Sequence, residues 1–355
     1  MSEENKEKIA AVVVTYNRKQ LLIECLNALL VQSYPLDALY IIDNASTDGT
    51  PEYLMEKGFI DKQLFSEKEP SESLKSIPLQ SHQDRTLEIH YVQMHENTGG
   101  AGGFHEGVKR GYEAGFDWLW LMDDDAEPEQ DSLLKLSEYF NFENVLALCS
   151  SVNSPNNEIL NVHRGRFNLK KMFPMVQSPI SYEEYMRKFV EIDLATFVGL
   201  MVNKKAIAAI GLPVKDFFIH YDDIEYCLRL RKIGKILLIP ESIIIHKEEA
   251  HGNRQVKYAL NRKSERAPYE KLWLSYYGRR NLTWFGIHYT KYNINFYVGL
   301  LKLTIKNIVG ILIYDDHKMR RIKFLINAHL DGIRGKFDNN KPRIILYGMS
   351  KTGRV

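Results

Sequence analysis

WLWLMDDDAEP, Trp118 to Pro128, decides how this chain is read: five apolar residues end abruptly in three carboxylates. Such a run fits a strand buried on both faces, and open parallel sheets bind ligands beyond the carboxyl ends of their strands. Three adjacent acids repel one another and need a cation to be stable together. A hard divalent ion, Mn²⁺ or Mg²⁺, takes oxygen ligands and bridges carboxylates to phosphates. In an extended segment alternate residues point the same way, so Asp123 and Asp125 can act on one side while Asp124 faces the other. The plainer account is a solvated acidic turn.

Working outward, Ile9 to Thr15 is a second continuous apolar run, followed by leucines at helical spacing over Lys19 to Gln32 and a short strand over Leu39 to Ile42. A helix over Thr50 to Lys57, a strand over Leu87 to Gln93 and a helix over Gly107 to Ala114 follow. The first 150 or so residues therefore alternate strand and helix as a parallel α/β sheet requires. Residues 62–85, rich in Ser, Glu, Lys and Pro without a period, predict a surface insertion. Strand-like segments return at Asp193 to Val202 and Ile236 to Ile245, and Tyr269 to His329 is helical and aromatic. The expected division is a catalytic domain over 1–252 and a mainly helical region over 253–355, with a boundary in the polar stretch Gly252 to Pro268.

Four further features stand out, three of them where strands end. Glu96 to Gly107, ENTGGAGGFHEG, follows a strand and precedes a helix. Asn97 with Gly99, Gly100, Gly102 and Gly103 can bring backbone N–H groups close to a diphosphate, or merely form a flexible turn. The turns TYNR (Thr15 to Arg18) and DNASTDGT (Asp43 to Thr50) lie at the same sheet edge, although Asn44, Ser46 and Asp48 also suit ordinary turns and caps. Asp222 and Asp223 open an amphipathic helix, where acids complement the helix dipole or supply a base for a hydroxyl nucleophile. His246 ends the apolar run Ile243 to Ile245, and imidazole can ligate Mn²⁺.

In this order the motifs resemble the family 2 inverting glycosyltransferases with the GT-A fold, over about residues 9 to 250. The resemblance implies a mostly parallel central sheet flanked by helices, with a C-terminal helical region. It implies that Thr15, Tyr16, Asn17 and Asp43 face the nucleoside, that Asp123 and Asp124 hold the donor, and that Asp123, Asp125 and His246 take the metal. Asp223 would then be the base and Asp222 an acceptor contact. The NTGGAGGF loop, the third aspartate and YYGRRN at Tyr276 to Asn281 look like the galactofuranosyltransferases of bacterial polysaccharide assembly, with rhamnosyltransferases as close relatives. That likeness implies UDP-galactofuranose as donor, a glycan or polyprenyl-linked acceptor, and acceptor contacts from Tyr277 and Arg280. The competing classes are a nucleotidyltransferase, which would release pyrophosphate, and a non-catalytic nucleotide-sugar or polysaccharide binding protein.

Lys and Arg total 47 against 45 Asp and Glu, which gives no reason to expect a nucleic-acid partner. Cys25, Cys149 and Cys227 are widely spaced, as suits buried thiols in a reducing compartment, and Met1 to Lys8 lacks the apolar core of a signal peptide. A cytoplasmic location is expected. Asn295 to Leu330 mixes Leu, Ile and Val with Lys and Arg, which predicts an amphipathic basic helix resting on the inner face of a membrane or packing against the catalytic domain or a second copy.

Overall fold

The computed structural model describes residues 7–79, 85–167, 177–247, 255–259, 261–290 and 294–342. The strands are β1 Ile9–Thr15, β2 Ala38–Asp43, β3 Ser71–Pro78, β4 Thr86–Gln93, β5 Trp118–Asp123, β6 Ala126–Pro128, β7 Val145–Asn153, β8 Arg164–Phe167, β9 Gln177–Pro179, β10 Val190–Ile192, β11 Leu194–Ala195, β12 Leu200–Asn203, β13 Lys235–His246, β14 Gln255–Ala259 and β15 Arg262–Arg266. The α-helices are α1 Lys19–Leu30, α2 Thr50–Glu56, α3 Gly99–Glu113, α4 Ser132–Ser137, α5 Lys204–Ile210, α6 Asp222–Arg231, α7 Leu272–Tyr289, α8 Ile294–Tyr314 and α9 Lys318–Arg334.

Two compact units result. The first comprises residues 1–166, 179–215 and 222–248, and the second 167–178, 216–221 and 249–355. In the first, a ten-stranded sheet runs β10-β13-β7-β12-β5-β1-β2-β4-β3, with β6 added against β13. Its central block β5-β1-β2-β4 is parallel, β7 and β13 are parallel to each other, and β12 runs antiparallel between β5 and β7. All seven residues of β1 are buried, so its continuous apolar run reads as a central strand covered on both faces. Trp118 and Trp120 are fully buried in β5. The three cysteines are buried free thiols.

Three expectations change. Residues 71–78 form an edge strand antiparallel to β4 rather than an irregular insertion. An edge strand is held by backbone bonds on one side only, so it needs no apolar alternation and leaves Leu74 exposed. The expected strand over Asp193 to Val202 is broken into β11 and β12. The third helix begins at Gly99, eight residues earlier than its apolar period indicates, because the glycines belong to its first turns. A Cβ on Gly103 would sit 2.5 Å from Val14, on Gly107 2.2 Å from Val12 and on Gly111 2.5 Å from Leu119. The i, i+4, i+8 glycine row thus lets α3 press its backbone onto β1 and β5. Gly252 and Arg254, within the expected boundary, lie outside the described residues.

The second unit contains the hairpin β14–β15 and the helices α7, α8 and α9. Within it Arg280 and Asn281 of α7, both fully buried, reach the segment 216–221. The Asn281 amide lies 3.0, 3.0 and 2.8 Å from the carbonyls of Phe217, Ile219 and His220, and Arg280 donates to those of Asp216 and Phe217. These bonds hold a segment in which Phe218, His220 and Tyr221 all have left-handed φ, of 65°, 70° and 70°.

Candidate active site

The acidic turn after β5 folds straight back. Ala126 to Pro128 form β6 against the end of β13, with Ala126 opposite His246 and Glu127 opposite Ile245. The Lys247 N–H then donates to the Asp125 carbonyl at 3.0 Å. This return places a histidine far along the chain beside the triplet. Ligand atoms of Asp123, Asp125 and His246 all lie within 4.8 Å of one another. Asp124 is not part of this set and accepts a hydrogen bond from the Thr15 hydroxyl at 2.7 Å.

The electrostatics of this cluster suit a cation. Burial, reinforced by Asp125, pushes the Asp123 carboxyl up to about 7, and burial pushes Asp124 up to about 6. For Asp125 burial is outweighed by His246 and Arg18, so its carboxyl stays below the usual range. Burial would lower His246, but Asp125 and Asp123 more than reverse this and raise it. Asp125 Oδ1 is buried without a hydrogen bond, yet lies 3.2 Å from His246 Nε2. A buried carboxylate oxygen 3.2 Å from an imidazole nitrogen, with a second carboxylate beside them, is a donor set that a divalent ion fits.

Two contributors escaped the sequence reading. Arg18, the last residue of TYNR, bridges Asp124 at 3.2 Å and Asp125 at 3.0 Å. Its signal was the need for a countercharge near three acids. His163 meets His246 edge to face at 5.3 Å, with its Nδ1 2.9 Å from the Thr196 hydroxyl. Burial pushes His163 down to about 3, so it remains neutral, and no motif marks it.

The other expected residues are distributed as follows. Tyr16 is partly exposed at the sheet edge. Asn17 has φ 57° and binds the neighbouring turn, donating its N–H to Ser46 Oγ at 2.9 Å and accepting from the Thr47 N–H at 2.7 Å. Asp43 is fully buried, and its oxygens accept from the Ser46 N–H at 2.8 Å and the Tyr91 hydroxyl at 2.7 Å. Asn97 accepts from the Gly99 N–H at 2.8 Å. Gly102 packs against Thr98, whereas a Cβ on Gly100 would meet nothing within 4 Å. Tyr277 and Arg280 belong to the second unit, fully buried; the Tyr277 hydroxyl donates to the Asn339 carbonyl at 2.6 Å and Arg280 to the Asn339 side chain at 3.0 Å.

Asp222 and Asp223 start α6 in the first unit. Burial, with the charges of Asp223 and Asp123, raises Asp222 well above the carboxylate range, and burial raises Asp223 to about 6. Asp223 Oδ1 accepts from the Ile224 N–H at 2.7 Å. Burial and the neighbouring charges thus favour the neutral form of Asp222 beside Asp223, a hydrogen-bond donor next to a candidate base.

A profile of "Glycosyl transferase family 2" matches residues 10–61 and 76–211, which include the triplet and stop short of Asp222 and His246. Galactofuranosyltransferase GlfT1 of Mycobacterium tuberculosis is 24% identical over 232 residues, covering 64% of this chain and 66%, just under two thirds, of that relative. The dTDP-rhamnosyl transferase RfbF of Shigella flexneri is 26% identical over 259 residues, covering 70% and 79% respectively. Among solved structures, mannosyltransferase PcManGT from Pyrobaculum calidifontis, in complex with GDP-Man and Mn²⁺, superposes with a TM-score of 0.50 at 16% identity, over 93% of this chain and 76% of that one. That likeness is one of fold, the GT-A arrangement of sheet and helices. With more than half its length matched by the family profile and the family's sheet beneath the acidic triplet, the chain belongs to glycosyl transferase family 2.

Proposed function

We propose that the protein is a metal-dependent, inverting glycosyltransferase that moves a sugar from a nucleoside diphosphate onto a hydroxyl acceptor. The observation that carries this reading is the convergence of Asp123, Asp125 and His246 at the carboxyl end of the sheet, with a buried oxygen of Asp125 lacking a hydrogen bond. Those three side chains would hold Mn²⁺ or Mg²⁺, which when bound supplies positive charge to offset the diphosphate as it leaves. Thr15, through Asp124, and Arg18 brace the acids from the first turn. Tyr16 and Asn17 would face the nucleoside, with the buried Thr15 and Asp43 bracing their turns, and Asn97 with the glycines that open α3 would lie beside the diphosphate. Asp223 takes the acceptor proton while Asp222, whose neutral form burial favours, can hold the acceptor oxygen by donating to it.

Galactofuranose from UDP-galactofuranose is the donor this reading favours, transferred to a glycan or polyprenyl-linked acceptor in cell-surface polysaccharide assembly. The likeness to GlfT1 supports it. Rhamnose from dTDP-rhamnose is the second reading, supported by the longer match to RfbF. A donor screen with Mn²⁺ or Mg²⁺ tests both by measuring nucleoside diphosphate release from UDP-galactofuranose, UDP-galactopyranose, UDP-glucose and dTDP-rhamnose. Preference for the first upholds the reading, preference for dTDP-rhamnose replaces the sugar, and release from none under either metal refutes transfer.

A further inference from the structure

The second unit carries an apolar surface that the site does not use. Helix α8 has 21 residues and is apolar enough to cross a membrane by length and composition, yet only 11% of its most apolar stretch is buried. Ile294, Val298, Leu301, Ile305, Val309 and Leu312 are all exposed or nearly so. At 100° per residue they share about 80° of arc, and at 1.5 Å per residue they form a strip about 27 Å long. Lys302 and Lys306 border that strip, both exposed. Helix α9 repeats the pattern, with Met319, Ile326, Leu330 and Ile333 exposed between Lys318, Arg320 and Lys323.

Charge indicates what covers this surface. Between residues 255 and 342 the sequence has 17 Lys and Arg against six Asp and Glu, whereas the whole chain carries a formal charge of only +2. Helix α8 contains no acid, and the one acid of α9, Asp331, is buried and bonded to Tyr276 and Lys341. The exposed faces of these two helices therefore offer apolar groups, the neutral Asn295 and positive charge, with no exposed acid. A second copy would set the same lysines against themselves across a two-fold axis.

The opposite face of α8 is already occupied. Phe296 is buried against Gly286 of α7, where a Cβ would meet the ring at 1.8 Å, and the Thr304 hydroxyl lies 3.3 Å from His329 Nε2 of α9. Arg321, His329 and Asp331 of α9 are buried on the inner side of that helix. A helix sharing a face with buried ionisable groups is not free to be surrounded by lipid tails.

We infer that the exposed strips of α8 and α9 lie flat on an anionic phospholipid bilayer, apolar side chains in the interface and lysines at the headgroups. This does not depend on the sugar transferred. The experiment is sedimentation of the full chain with phosphatidylcholine vesicles, with or without about one third phosphatidylglycerol, at low and high salt. The protein is expected to pellet with anionic vesicles only, to be displaced by salt, and to be released by alkaline carbonate. Leu301→Glu/Ile305→Glu should abolish pelleting, and Lys302→Glu/Lys306→Glu should weaken it roughly tenfold or more, with unchanged circular dichroism in both. The inference is overturned by no pelleting of the wild type at low salt, by retention after carbonate, by either variant pelleting as well as the wild type, or by a wild-type dimer that the Leu301/Ile305 variant dissociates.

Discussion

Replacing Asp223 by Asn separates chemistry from folding more sharply than any other change at the site. The structure sets the magnitude on both sides. With its carboxyl at about 6, Asp223 is about 97% ionised at pH 7.5 and about one tenth ionised at pH 5. Wild-type kcat/KM should therefore rise as pH increases through 6, by roughly tenfold from pH 5 to 7. Asparagine keeps an oxygen for the Ile224 N–H but cannot take a proton, and loss of a positioned base costs roughly 10²- to 10⁴-fold, or about 3 to 5.5 kcal/mol. Stability moves the other way. A carboxyl raised in the folded state is a penalty that is fully present above about pH 6 and fades as pH falls towards 3.8, so at pH 7.5 the substitution relieves at most about 3 kcal/mol. The assay is transfer to a hydroxyl acceptor across pH 5 to 8, beside urea denaturation at pH 7.5. A stable variant with near-normal turnover would refute the assignment of Asp223 as base.

Other substitutions follow from the same contacts. Arg18→Gln leaves Asp124 and Asp125 with one cation fewer and should lower metal-free stability by roughly 1–3 kcal/mol, with Mn²⁺ restoring part of it in paired urea melts. Gly107→Ala should cost roughly 1–3 kcal/mol because its Cβ would meet Val12, whereas Gly100→Ala, with open space around it, should be neutral or stabilising by up to about 1 kcal/mol in the same assay. Asn281→Ala leaves buried carbonyls of the 216–221 segment unsatisfied and should cost roughly 2–4 kcal/mol; a thermal shift of under a degree would contradict that role.

How far the sequence carried the reading depended on what each residue is held by. Buried parallel strands are held by side chains on both faces, so Ile9 to Thr15 and Trp118 to Met122 announce themselves as continuous apolar runs. Strand β3 is held at the sheet edge by the backbone of β4 and by polar contacts such as Glu72 to His90 and Arg110, and its serines and charges carry no period. The triplet and His246 were each legible as polar ends of apolar runs, but their meeting was implied by the family resemblance alone, since it hangs on the three-residue strand β6. Glycine has two opposite uses, close approach to a ligand and close approach of a helix to a sheet, and composition cannot tell them apart. Here Gly103, Gly107 and Gly111 serve the second. Arg18 and His163 were hidden because an ion pair and a ring contact between distant turns leave no local pattern.

The central claim is that Asp123, Asp125 and His246 capture a divalent ion that in turn grips a nucleoside diphosphate. Calorimetric titration of UDP and dTDP, each with and without Mn²⁺, tests it most directly. At least one of the two should bind roughly tenfold or more tightly with Mn²⁺, and Asp125→Asn should erase that gain. Affinities indifferent to Mn²⁺ for both nucleotides, or a full gain retained by the variant, would contradict the account.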